Sequence, residues 1–303
     1  MIHCANTPLV SIVVITYNSA EYVLKTLESA KAQTFQKLEL IVSDDGSSDH
    51  TVEICQKWLA ENRDRFTRTA LLTVEKNSGI PANCNRGTKA ATGEWIKLIA
   101  GDDYISSEFI SKCLEHEKSA NVALIYTNCY FVNSADEITG QANSSNYKSG
   151  FVFDDLFFLR FWPKAPSMIV KTAVLEEVGF FDESIWAEDF LMVLKIAQKY
   201  PLQHLDEFLT YYRIHGSNNG GKSIRLHEAQ LSSIGKFKDY SGYPMAKRSI
   251  QLQIIELKLT DQPAEAVQMI FNNLRILCCR QGISALTRAW ISMLKQSFSP
   301  QPS

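Results

Sequence analysis

Residues 95–105 read "WIKLIAGDDYI", an apolar run that ends in Gly-Asp-Asp. The run predicts a buried strand. Two adjacent carboxylates leaving its end are costly beside a core unless something positive meets them. Side chains of extended backbone alternate between faces, so only one of Asp102 and Asp103 is expected to touch a given ion directly. The other is left for a ligand hydroxyl or a metal-bound water. Oxygen donors of this kind suit Mg²⁺ or Mn²⁺, and a solvated turn is the plain alternative.

The same pattern recurs on the N-terminal side. "LVSIVVITY" (9–17), "LELIVSDDGSSD" (38–49) and "TALLTVEKNSG" (69–79) are strand-like, and helical spacing follows each. Asn18 or Ser19 is the expected cap of the first helix, Asp49 caps the second, and Pro81 sits in the first turn of the third. Four strand–helix alternations predict a parallel α/β sheet, whose ligands bind outside the carboxyl ends of the strands. The polar clusters Thr16-Tyr17-Asn18, Asp44-Asp45-Gly46, Asn77-Ser78-Gly79 and Gly101-Asp102-Asp103 all fall at those ends. Asp45 is an acceptor-only group that matches the ring N–H of uracil, thymine or guanine, or is a turn residue. Tyr17 is placed to pack beside a base.

The second half mixes strand-like "VALIYTNCYFVN" and "LQHLDEFLTYYRIHG" with the helical "FDDLFFLRFW" and "EDFLMVLKIAQKY". From about Ser223 the pattern is helical throughout, and "GSNNGGKS" (216–223) is the expected linker or mobile loop. The boundaries are thus 1–220, with halves 1–105 and 106–220, and a helical region 221–303. With 303 residues, 45% apolar and a net charge of −2, the chain has the composition of a globular protein with a real core, and nothing points to nucleic acid. Seven scattered cysteines without a CxxC fit a reducing cytosol. Since Lys25 is the first basic residue, the N-terminal apolar run reads as a core strand, not a signal peptide.

Taken together, "VSIVVITYNSAEYVLKTLESAKAQTF", "LELIVSDDGSSDHT" and "NSGIPANCNRGTKAATGEWIKLIAGDDYI", with "VGFFDESIWAEDFLM" and "YYRIHGSN" further on, resemble family 2 glycosyltransferases of the GT-A fold. That fold is a Rossmann-like, mostly parallel sheet flanked by helices, here followed by a C-terminal helical extension. The resemblance implies inverting transfer of a sugar from a nucleotide diphosphate donor to an acceptor hydroxyl, assisted by Mn²⁺ or Mg²⁺. It puts Thr16, Tyr17 and Asp45 on the nucleoside, with Asn18 and Asn77 from the neighbouring strand ends. It makes Asp102 the ribose- or metal-proximal acid and Asp103 the metal ligand. Asp189 is implied as the general base with Glu188 beside it, His215 lies near metal and diphosphate, and Arg213 helps neutralise the phosphates. The acceptor implied is a glycan or lipid-linked intermediate of cell-envelope polysaccharide, met in the cytoplasm or at the inner face of the cytoplasmic membrane.

Two positions depart from the family pattern. Ala100 stands where many relatives have a further acid, and Cys84 stands where many have an arginine, which leaves Arg86 as the nearby cation. A nucleotide-sugar binding module without turnover is the alternative that Ala100 suggests; Asp103 and Asp189 speak against it. A dehydrogenase would need G-x-G-x-x-G after the first strand, where "TYNSAE" stands.

The tail carries no acidic residue after Glu265. In "GISALTRAWISMLKQSF", Ile283, Leu286, Trp290, Met293 and Leu294 share a helical side, with Arg288 and Lys295 as the charges. Such a stripe either packs on the catalytic domain or a second subunit, as in a homodimer, or lies in a membrane interface.

Overall fold

The computed structural model describes residues 7–117, 121–142, 145–215 and 223–262, together with 265, 266 and 269. Most of "GSNNGGKS" and the whole cationic stripe of 283–295 lie outside the described residues. The chain forms two compact units, Met1–Asn218 and Asn219–Ser303.

The first unit opens with β1 (Val10–Thr16), α1 (Val23–Lys31), β2 (Leu38–Asp44), α2 (Thr51–Asn62), β3 (Arg68–Thr73), α3 (Ile80–Lys89) and β4 (Trp95–Ala100). The four strands pair in parallel in the order β3-β2-β1-β4. Every residue of β2 is buried and all but Ile15 of β1, which is why both read as continuous apolar runs: helices cover both faces of a parallel sheet. Ile12, Val14, Leu40, Val42 and Trp95 pack with Leu27 of α1 and Cys55 and Trp58 of α2 in one core.

After β4 come β5 (Tyr104–Ile105), α4 (Phe109–Glu115), β6 (Leu124–Val132), β7 (Ile138–Ala142) and α5 (Phe153–Phe157). They are followed by β8 (Met168–Lys171), α6 (Thr172–Glu177), α7 (Glu188–Lys199) and β9 (Leu202–Arg213). The sheet continues as β4-β8-β6-β9-β5, with β7 on β6; here β8 runs antiparallel to β4 and β6, whereas β6 and β9 are parallel. The mostly parallel, helix-flanked sheet predicted from the sequence is the one observed. The two-residue β5, β7 and the short α4 lie in stretches that carry no clear period, and only their tertiary partners define them. The second unit contributes α8 (Ile224–Ile234), capped by Ser223 Oγ on Leu226 N, and α9 (Tyr243–Asp261).

One helix start differs from expectation. Neither Asn18 nor Ser19 caps α1, which begins at Val23 after Tyr22 with no side-chain cap. Asn18 instead adopts φ 49°, donates its N–H to Ser47 Oγ at 2.8 Å and accepts Ser48 N–H at 2.8 Å. Local capping lost to a tie between the β1–α1 and β2–α2 loops. Asp49 does serve the start of α2, accepting the Thr51 N–H at 3.0 Å, and its other oxygen takes the Ala20 N–H at 3.1 Å.

Below the strand ends, α3 seats directly on β1 and β2 because Gly87 has no side chain. A Cβ there would stand 2.5 Å from Val13 Cγ1 and 3.2 Å from Ser43 Cβ. Alanine gains about 1 kcal/mol of helix propensity over glycine, but overpacking a buried contact costs roughly 1–3 kcal/mol. At 2.5 Å from Val13 the overpacking falls at the upper end of that range, so Gly87→Ala is expected to lower unfolding stability by about 2 kcal/mol net, measured by urea denaturation. Unchanged or increased stability would mean that α3 rides higher on the sheet than described.

Candidate active site

The loops at the carboxyl ends of β1, β2 and β3 are tied to one another. Thr16 Oγ1 donates to Asp44 Oδ2 at 2.7 Å, and the Thr16 carbonyl accepts the Asp45 N–H at 3.0 Å. Thr16 is thus buried and structural, and its hydroxyl is not offered to a nucleoside as the sequence reading expected. Asp45 is buried as well. Its Oδ2 accepts the N–H groups of Ser78 (3.0 Å) and Gly79 (2.8 Å), and its Oδ1 accepts Ser78 Oγ (2.5 Å) and Arg86 Nη2 (3.0 Å). Burial works to raise its pKa, and these donors, Ser78 and Arg86 foremost, outweigh burial and lower it. All four acceptor positions of the carboxylate are filled. The Ser78 hydroxyl alone among these donors can rotate away without moving backbone or Arg86. Tyr17 is 51% exposed, and Asn77 is exposed with its Oδ1 on the Gly79 N–H at 3.1 Å.

The doublet after β4 splits as its alternation predicts, but the assignments change places. Asp103 points inward: 2% of it is exposed, and its Oδ1 accepts the Arg213 N–H at 2.8 Å. Burial first, then the Asp102 charge, raises its pKa well above the carboxylate range. Asp102 points outward, and its Oδ2 lies 3.0 Å from His215 Nε2. The half-buried acid paired with His215 is therefore Asp102, while Asp103, the expected metal ligand, lies buried against the Arg213 N–H. Arg213, expected on the phosphates, is 1% exposed. Its Nε donates to the Asp102 carbonyl (2.9 Å), Nη1 to the Asn133 carbonyl (2.8 Å) and Nη2 to Asp136 Oδ1 (2.6 Å), while the guanidinium lies 4.6 Å from the Tyr22 ring centroid. The guanidinium is thus engaged by two backbone carbonyls and the Asp136 carboxylate, partners that no sequence motif announces.

Glu188 and Asp189 form the first turn of α7. The loop before them is held from α3: Asn85 Nδ2 donates to the Phe181 carbonyl (3.0 Å) and to Glu183 Oε1 (2.8 Å), and Asn85 Oδ1 accepts the Phe181 N–H (3.0 Å). Burial, then the Asp189 charge, pushes Glu188 up to about 8. Burial also raises Asp189, against bonds from the Trp162 side chain and the Phe190 N–H and the nearby Lys164 charge. The pair titrates together. The Trp162 side chain, the Phe190 N–H and the Lys164 charge favour the anion at Asp189, whereas Glu188 has only its own backbone N–H for this. Cys84 is fully buried, and after burial the Glu188 and Asp189 charges are what raise its pKa. The position where many family members carry arginine therefore faces these two acids with a neutral thiol.

Both acid sets lie within electrostatic reach of Tyr212. Burial raises the pKa of the Tyr212 hydroxyl, and the Asp103, Asp102 and Asp189 charges all add to it. Trp162, Tyr212 and Asn85 escaped the sequence reading as site residues, and only Asn85 had a signal, as the Asn of "NRG". Asp102 and His215 offer one carboxylate oxygen and one imidazole nitrogen, a donor set that suits Mn²⁺ better than Mg²⁺. Among the described residues no group of three or more His, Cys, Asp or Glu converges, so diphosphate oxygens and water would complete such a site.

Because a raised acid pKa means that the folded state binds the extra proton, the stability it lends is complete below the unfolded value and is lost as pH rises toward about 8. Glu188→Gln removes that loss. The variant should melt above wild type at pH 8, and the difference should shrink toward pH 5. Parallel melting curves at both pH values would show Glu188 to be solvated.

The family model for glycosyl transferase family 2 matches residues 11–175. An uncharacterised glycosyltransferase of Methanocaldococcus jannaschii is 27% identical over 241 residues, covering 78% of each chain. Chondroitin synthase of Escherichia coli is 28% identical over 236 residues, 73% of this chain but 31% of that protein. Among solved structures, S. aureus TarS 1-349 in complex with UDP-GlcNAc superposes with TM-score 0.63 at 20% identity, covering 94% of this chain and 81% of that one. A mannosyltransferase of Pyrobaculum calidifontis in complex with GDP-Man and Mn²⁺ reaches 0.61 at 14%, covering 98% and 89%. These structures share the fold. With a family match over more than half its length, on the strands and loops that build the cleft, the chain belongs to glycosyl transferase family 2.

Proposed function

We propose that this glycosyltransferase transfers a sugar, with inversion, from a uridine or thymidine diphosphate donor to a hydroxyl of a glycan or lipid-linked acceptor in cell-envelope polysaccharide synthesis. The observation that carries the reading is that Asp102, paired with His215 at 3.0 Å, and Asp189, held by the Trp162 side chain, both reach Tyr212 with their charge. An acid that pairs with His215 and an acid that can take a proton thus bear on one residue of β9. That TarS is solved with UDP-GlcNAc, and that chondroitin and hyaluronan synthases are among the relatives, supports a uridine donor and a polysaccharide product.

Tyr17 packs against the base, and rotation of the Ser78 hydroxyl frees Asp45 Oδ1 for a ring N–H. Arg86 stays on Asp45 and keeps it ionised. Asp102 and His215 hold the divalent ion, which supplies Lewis-acid neutralisation of the departing diphosphate. Asp189 accepts the proton of the attacking hydroxyl, and Trp162 and Lys164 steady the carboxylate before it does so. Glu188 stays protonated beside it, which avoids a second negative charge. Asp103 acts by fixing the β9 end.

Calorimetry with UDP, dTDP, GDP, ADP and CDP in the presence of Mn²⁺ should give tightest binding to UDP or dTDP; tightest binding to ADP or CDP overturns the base assignment. Asp102→Asn should remove most of the gain in UDP affinity that Mn²⁺ brings. Asp189→Asn should leave UDP binding nearly unchanged and lower kcat by ~10²–10⁴. Near-normal turnover in that variant would move the base elsewhere. Ala100 favours one second reading, a donor-binding module without turnover, and glycosyl transfer to an oligosaccharide would exclude it.

A further inference from the structure

The segment that reaches the proposed base also carries a cation: the Trp162 ring lies 4.4 Å from that of Phe190, next to Asp189, and Lys164 follows two residues later. The Lys164 backbone is fixed, because its carbonyl accepts both the N–H (2.8 Å) and the Oγ (2.7 Å) of Ser167. Its ammonium stands 5.7 Å from the centroid of the Phe131 ring. Among the described residues it joins no ion pair, although it is half-buried and its charge reaches Asp189. Lys112 and Lys171, also half-buried, pair with Glu207 and Glu117. A cation over an aromatic face gains only about 0.5–2 kcal/mol, less than a buried anionic partner would give.

The ring beneath it is part of a built surface. Phe131 pairs in register with Tyr212 on β9 and Gly140 on β7. The Phe131 and Tyr212 rings meet edge to face at 6.1 Å, and a Cβ at Gly140 would press on Phe131 Cδ2 at 3.3 Å. Glycine on the outer strand thus lets the Phe131 ring lie over it. Tyr212 belongs to this platform, and its hydroxyl feels the Asp102 and Asp189 charges, so the platform lies within electrostatic reach of both acids.

Resting on the glycosyltransferase reading above, we propose that Lys164 recognises an anion carried by the acceptor sugar, a carboxylate or a phosphate, while the sugar ring packs on Phe131 and Tyr212. The anion lies on the acceptor and not on the donor because Lys164 neighbours Asp189, which takes the acceptor's proton. Asp102 and His215 serve the diphosphate. Asp189 repels an acceptor anion in its own neighbourhood, and Lys164, which steadies Asp189, also offsets that repulsion.

The test titrates the full-length protein, with UDP and Mn²⁺ present, with three probes: a glucuronic-acid-terminated disaccharide, its methyl ester, and a disaccharide phosphorylated on its terminal sugar. Wild type should bind at least one charged probe about 10-fold tighter than the ester, and which one it prefers identifies the source of the anion. Lys164→Met should abolish that preference and leave UDP affinity unchanged, while Lys164→Arg should keep most of it. Equal binding of charged and neutral probes by wild type overturns the proposal, and this comparison needs no variant to fold. Loss of UDP affinity in Lys164→Met, or a Lys164-dependent preference for UDP-glucuronate over UDP-glucose, also overturns it by moving the anion to the donor. Failure of UDP to bind wild type would instead sink the uridine donor of the proposed function, and the same titration is then read with the nucleotide that binds tightest.

Discussion

Burying one carboxylate of an adjacent pair and turning the other outward is the constraint on which the site depends. Asp103 can be inside only because the Arg213 N–H meets it at 2.8 Å, and because Arg213 then folds back onto the Asp102 carbonyl at 2.9 Å. The end of β4 and the end of β9 are thereby fixed to one another across 110 residues of chain. Outward presentation of Asp102 toward His215 follows from that clamp, since strand alternation leaves the second side chain no other direction. The cost of a buried acid is offset by a backbone donor and by the neighbouring positive charges of Lys97 and Arg213.

Lys97 belongs to the same arrangement from below. It is fully buried in β4, donates to the carbonyls of Pro166 and Met168, and stands 4.3 Å from the centroid of the Phe109 ring. Burial lowers its pKa to about 7. Its two carbonyl acceptors sit at the start of β8, directly after the segment that brings Trp162 and Lys164 to Asp189. One buried lysine therefore joins the strand bearing the acid doublet to the segment facing the base, through neutral acceptors that do not compete with Asp103.

Much of this was legible in the sequence, and the division is physical. Four parallel strands announced themselves because continuous β-branched runs mean burial on both faces, and their polar ends marked the cleft. The β-strand doublet could be read as one inward and one outward acid, but not which, because that depends on a backbone N–H 110 residues away. The same limit applied to Arg213, which read as a phosphate ligand and is a structural residue bonded to carbonyls that no motif encodes. Asn18 read as a cap by local preference and was taken instead by a loop that is distant in sequence. Trp162 ends a stretch that read as helix, whereas the helix stops at Phe157, and Lys164 lies just beyond, so only the tertiary structure reveals that they reach Asp189.

The ties among Asn18, Ser47, Ser48, Asp45, Ser78 and Arg86 mean that the donor half is assembled before any ligand arrives. Little backbone has to be ordered on binding, so most of the contact free energy is available as affinity and not spent on folding a loop. A rigid pocket of this kind rejects a wrong base by leaving its polar edge unsatisfied, not by failing to close around it. Selectivity among nucleotides would then persist in a truncated donor that lacks the sugar, and the ligand-bound and ligand-free forms would differ little in amide-exchange protection at these loops.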